Sequence, residues 1–100
     1  LTISVPELLY YEVLNALSFK PKVDENVLQK VAKLLDKVNL NRFLLQGELL
    51  KETITIRSKY SLSMYDASYV ALATLLHTTL ITADSKLVKK VNTNYVKLLT

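Results

Sequence analysis

From Tyr60 to Ala83 the chain carries one formally charged residue, Asp66. A carboxylate alone in so apolar a stretch must be hydrogen-bonded, ion-paired or bound to a cation, because burying it bare costs several kcal/mol or more. The segment Ser61 to Asp84 reads as a capped, mostly apolar helix, a tight turn and a short buried strand, with a second acid, Asp84, at the strand's C-terminal end. Asp66 and Asp84 are therefore the first candidates for chemistry.

The rest of the chain limits what those acids can serve. With 100 residues there is room for one core. Half the residues are hydrophobic, with one Gly and two Pro, which predicts a compact helix-rich domain and excludes disorder. No apolar run reaches bilayer length and no signal-peptide pattern opens the chain, so no membrane role is expected. Without Cys there is neither a disulfide framework nor a thiolate metal site, and a cytoplasmic location is the default expectation. The net charge of +4 is uneven: Leu1 to Phe19 hold Glu7 and Glu12 and no base, whereas Lys86, Lys89, Lys90 and Lys97 follow Asp84. Such a basic end could attract a polyanion such as RNA; a solvated lysine-rich surface accounts for the same residues.

The spacing predicts alternating strands and helices. Thr2 to Val5 suits a buried strand, and Pro6 the first turn of a helix running to about Phe19 and ended by Pro21. Asp24 is the expected N-cap of a helix through Lys37, with Val27, Val31, Leu34 and Leu35 as its apolar stripe. A strand over Asn39 to Leu45, a break at Gly47 and a helix from Glu48 to Lys59 follow. Then come a helix over Met64 to His77, a strand over Thr79 to Thr82, a helix over Ser85 to Val91 and a strand over Tyr95 to Leu98. Strands separated by helices imply a parallel sheet with helical cover, an α/β fold.

Each acid has a structural reading beside its chemical one. Glu12 shares a helical face with Leu8, Asn15, Ala16 and Phe19, and such a Glu can simply reach water. Asp66 follows Ser63 in a Ser-x-x-Asp capping pattern, where an acid suits the helix dipole. Asp84 precedes a helix that it can cap. Taken together they point further, because ligands of parallel α/β sheets bind outside the C-terminal strand ends. Clustered carboxylates repel unless a divalent cation neutralises them, and an oxygen-only set favours Mg²⁺ or Mn²⁺. Those ions support phosphodiester hydrolysis. His77 stands alone near a helix end and reads as a helix-end group rather than a base. Tyr10, Tyr11, Tyr65 and Tyr69 could stack on bases, but at helical spacing beside Leu and Val they read as core or interface residues.

Three phrases carry a family resemblance: Val5-Pro-Glu-Leu-Leu-Tyr-Tyr-Glu12-Val-Leu-Asn15-Ala-Leu, Tyr60-Ser-Leu-Ser-Met-Tyr-Asp66-Ala-Ser-Tyr-Val-Ala-Leu-Ala73, and Leu80-Ile-Thr82-Ala-Asp84-Ser-Lys-Leu87. In order and spacing they resemble the PIN domain, the nuclease fold of VapC-type toxins. The resemblance implies a three-layer α/β/α sandwich and Mg²⁺- or Mn²⁺-dependent endoribonuclease activity on an RNA substrate. It implies a homodimer blocked by a VapB-type antitoxin whose C-terminal segment fills the groove near the acids. By the same resemblance Glu12, Asp66 and Asp84 are the catalytic and metal-holding residues, with Thr82 and Asn15 supporting.

One departure stands out. The family's first strand, which bears an additional Asp, has no counterpart before Thr2, and the chain opens on Leu1 rather than Met. The expectation is one PIN-like domain over residues 1–100 that is N-terminally incomplete and inactive or impaired as a nuclease. A non-catalytic PIN-like module for dimerisation, or for antitoxin or RNA binding, is the alternative.

Overall fold

The computed structural model describes residues 3–99. Along the chain run β1 (Ile3–Pro6), α1 (Leu8–Ser18), α2 (Glu25–Lys37), β2 (Leu40–Phe43) and α3 (Gly47–Tyr60). They are followed by α4 (Met64–Leu76), β3 (Leu80–Thr82), α5 (Ser85–Val91) and β4 (Val96–Leu98). The α/β class expected from the sequence holds, and both strand pairings are parallel. The chain divides into two compact units, Leu1–Phe43 and Leu44–Thr100.

In the first unit β1 lies beside β2, with Ile3 opposite Leu40 and Pro6 opposite Phe43. Pro6 ends this strand instead of opening the helix. Its fixed φ suits extended backbone too, and the next residue, Glu7, carries the ladder on by donating its N–H to the Phe43 carbonyl at 2.9 Å. Thr2, expected in the strand, lies outside the described residues. Only Val5 and Pro6 of β1 are buried, and Ile3 is 51% exposed, because a two-stranded ladder covers little of its own faces. The Asp24 carboxylate caps α2 as expected, accepting from the Val27 N–H at 3.0 Å. The apolar stripe is rotated from the expected one. Leu28, Val31, Ala32 and Leu35 are part-buried, while Val27 and Leu34 are exposed. The Arg42 guanidinium sits 5.3 Å from the centre of the Tyr10 ring, a cation–π distance.

In the second unit α3 and α4 form a hairpin joined by Ser61, Leu62 and Ser63. Leu49, Thr53 and Ile56, spaced at one and two turns, form the buried face of α3. The buried residues of α4 include Ala67, Ser68 and Ala71, small enough to let two helix backbones approach closely. Thr53 and Ser68, both buried, bond back to their own helices through their hydroxyls: Thr53 to the Leu49 carbonyl at 2.6 Å and Ser68 to the Tyr65 carbonyl at 2.7 Å. With a single Gly in the chain, three helices end on non-glycine residues in the left-handed region: Ser61, His77 and Asn92. At the end of α3 this bend lets Leu62, itself buried, donate its N–H to the Arg57 carbonyl at 3.2 Å. His77 is the helix-end group the sequence suggested. Its own N–H turns back to the last turn of α4, and Thr78 donates to the Ala73 carbonyl at 3.0 Å. Gly47, at φ +55, supplies the turn that opens α3.

β3 pairs with β4, Leu80 opposite Val96 and Thr82 opposite Leu98. Sequence reading gave a buried strand here, yet Ile81 is 54% exposed. Among the described residues the strands form two parallel pairs, β1 with β2 and β3 with β4. Tyr11 and Tyr65 are also exposed, at 74% and 62%, so neither belongs to the core of this chain. Among the described residues, no helix is long and apolar enough to cross a membrane.

Candidate functional site

Asp66 and Asp84 both stand at helix starts in the second unit, and the local sequence puts them there. Ser63 is the N-cap of α4, and its Oγ accepts the backbone N–H of Asp66 at 3.1 Å. That bond fixes Asp66 in the first turn, where the helix dipole favours an acid, with its side chain half-buried. The capping reading of Ser63-x-x-Asp66 is thus correct, and it fixes the backbone that carries the acid.

Asp84 is the N-cap of α5. Its Oδ1 accepts from the N–H groups of Lys86 at 3.0 Å and Leu87 at 3.2 Å. One carboxylate oxygen does the capping, so Oδ2 lies outside the cap. Thr82, two residues earlier, turns its Oγ1 to accept the Asp84 N–H at 3.1 Å. The hydroxyl therefore acts on the backbone that carries the acid. Asp84 is exposed and Thr82 half-buried.

Glu12 and Asn15 lie one turn apart on α1 in the first unit, and both are exposed. Among the described residues no group of three or more His, Asp or Glu side chains forms a cluster able to hold a metal ion. Asp66 and Asp84 share one unit with Thr82; Glu12 belongs to the other.

The donors at Asp66, Asp84 and Thr82 are all oxygens, with no imidazole among them. Oxygen donors are the type that hard divalent cations take. On α5, Leu87 and Val91 face inward, and the exposed Lys86 and Lys89 lie one turn apart. A shallow cavity of about 350 Å³ lies at the other end of β3, lined among others by Thr74, His77, Asn94 and Tyr95. It holds no carboxylate.

Sequence reading did not find Lys90, whose ammonium donates to the Ser61 carbonyl at 2.8 Å. No local pattern could have revealed it, because the partners are far apart in the chain.

The model of the PIN domain family matches residues 1–92. The chain belongs to the PIN domain family. The segment matched spans Glu12, Asp66 and Asp84, so the fold reading and the resemblance agree. This PIN domain is also similar to a chain of a solved structure described as a toxin-antitoxin complex from Klebsiella pneumoniae, with a TM-score of 0.73. The two are 19% identical, over 94% of this chain and 71% of the other. At that identity the likeness speaks for the fold alone. Among curated proteins none matches.

Proposed function

We propose that this PIN domain is a divalent-metal-dependent endoribonuclease of the VapC toxin type. The observation that carries the reading is the pair of carboxylates, each fixed at a helix start within one unit. Asp66 is set by the Ser63 cap, and Asp84 is set by Thr82 and by its own cap on α5. Membership of a family whose members are generally metal-dependent nucleases supports it. Asp66 and Asp84 would hold Mg²⁺ or Mn²⁺, with Glu12 as a further carboxylate and Asn15 as its polar neighbour. When bound, such an ion supplies Lewis-acid polarisation of a phosphodiester and activation of water for attack. The chain's own residues do the rest. Thr82 and Ser63 hold the two acid-bearing turns, and Lys86 and Lys89 offer ammonium groups to an RNA backbone. An antitoxin partner of the VapB type is in keeping with the solved toxin-antitoxin complex that shares the fold.

The test is cleavage of a structured RNA in Mn²⁺ by this chain and by its Asp66→Asn and Asp84→Asn variants. Loss of cleavage in both variants is expected. Equal cleavage in all three contradicts the reading, and cleavage in none favours the non-catalytic module described next.

A second reading is a non-catalytic module that dimerises or binds an antitoxin. It is favoured by α1, an apolar helix with no buried residue, and by Tyr11 and Phe19, exposed at 74% and 80%. Sedimentation separates them in part: a monomer at micromolar concentration contradicts the dimerisation module.

A further inference from the structure

We infer that Lys90 is a positioning residue that sets the spacing between Asp66 and Asp84, an inference that rests on the metal-site reading above. Asp66 rides on the first turn of α4, and Asp84 caps the start of α5. Each helix is rigid over its own length, so the distance between the two carboxylates depends on how α5 is held to the turn that launches α4. Lys90 adds a polar link to the packing of buried Leu87 and Val91, which holds α5 in its unit. It sits six residues beyond Asp84, about 9 Å along α5, and its Nζ donates to the Ser61 carbonyl at 2.8 Å. Ser61 is in the left-handed conformation at φ 53, two residues before the Ser63 cap that fixes Asp66. The left-handed bend turns the chain between α3 and α4, and the bond from the Lys90 ammonium is charge-assisted, hence stronger than a neutral hydrogen bond.

Two features make this more than an incidental surface contact. Among the described residues, Lys90 is the lysine of α5 whose ammonium is seen to bond to the protein, and Lys86 and Lys89 on the same helix are exposed. In addition, Leu62, next to the accepting carbonyl, is buried and bonded to Arg57, so the turn that Lys90 grips is anchored to α3 on its other side.

Charge and geometry predict opposite signs, which makes the role testable. Removing a nearby positive charge by itself strengthens cation binding at a carboxylate site, whereas loosening the spacing weakens it. The experiment titrates Mn²⁺ alone into the full chain, its Lys90→Met and Lys90→Arg variants, and follows amide hydrogen exchange without metal. In Lys90→Met, Mn²⁺ affinity is expected to fall roughly fivefold, the scale of one ordinary hydrogen bond lost at an exposed position. Exchange at Leu62, Asp66 and Ala67 should quicken by a similar factor while the middle of α3 is unchanged. Lys90→Arg, keeping donor and charge, should restore both.

Unchanged exchange in Lys90→Met overturns the inference, because the tether then holds nothing. Faster exchange with equal or tighter Mn²⁺ binding also overturns it, because the tether then does not set the site. If the parent chain itself binds no Mn²⁺, the metal-site reading fails and the inference with it. Quickened exchange in Lys90→Met would still identify the tether in that case, which keeps the two failures distinguishable.

Discussion

The Oγ of Ser63 accepts the backbone N–H of Asp66 at 3.1 Å, so the residue that starts α4 also sets the acid the chain is built around. Ser63→Ala removes the acceptor and leaves a first-turn donor to water. A loss of about 1 kcal/mol in unfolding free energy is expected, read by urea denaturation. Ser63→Asp, which also caps, should lose less than half of that.

Asp84 does two jobs that a pair of substitutions separates. Asn caps helices as well as Asp, so Asp84→Asn should leave stability within about 0.5 kcal/mol of the parent, whereas Asp84→Ala should cost about 1 kcal/mol. Both variants lose the carboxylate. Both are expected to abolish Mn²⁺-dependent cleavage despite their different thermal melts.

The helix ends carry a conformational cost that glycine removes. His77 holds a left-handed φ of 51 at the end of α4. His77→Gly should raise stability by about 0.5–1 kcal/mol, with the flexibility that Gly adds to the unfolded chain offsetting part of the gain. The reverse holds at Gly47, where φ is +55 and an added Cβ meets nothing within 4 Å. Gly47→Ala should therefore cost about 1 kcal/mol through backbone strain alone. Denaturant midpoints of the two variants should move in opposite directions.

Thr93 Oγ1 is buried with no hydrogen-bond partner. An unpaired buried hydroxyl costs about 1–3 kcal/mol, and Val has nearly the same shape without it. Thr93→Val is expected to raise the thermal midpoint, with a gain of about 1 kcal/mol by calorimetry.

Local chemistry was what the sequence made legible. The caps at Asp24, Ser63 and Asp84 act over two or three residues, and each appears where the spacing put it. Helix bounds agree to within a residue or two except at Pro6, whose ring tolerates a strand end as well as a helix start. Faces were harder to read. Val27 and Leu34 fit the 3.6-residue period of α2 but lie to one side of its inward stripe, because two adjacent apolar rows satisfy the same period. Tyr11 and Tyr65 are apolar enough for a core yet exposed, since burial depends on what other elements present to them. The Lys90–Ser61 bond joins elements distant in sequence and has no local signature. For the same reason periodicity could place each of Glu12, Asp66 and Asp84 on its element without fixing the distances between their carboxylates.

The most direct test of the central claim is a calorimetric titration of Mn²⁺ into the chain and into Asp66→Asn. Binding by the parent and a loss of at least about tenfold in affinity in the variant, with the melting curve preserved, is the expected result. Equal affinities in the two proteins, or no binding by either, would contradict the assignment of Asp66 to a metal site.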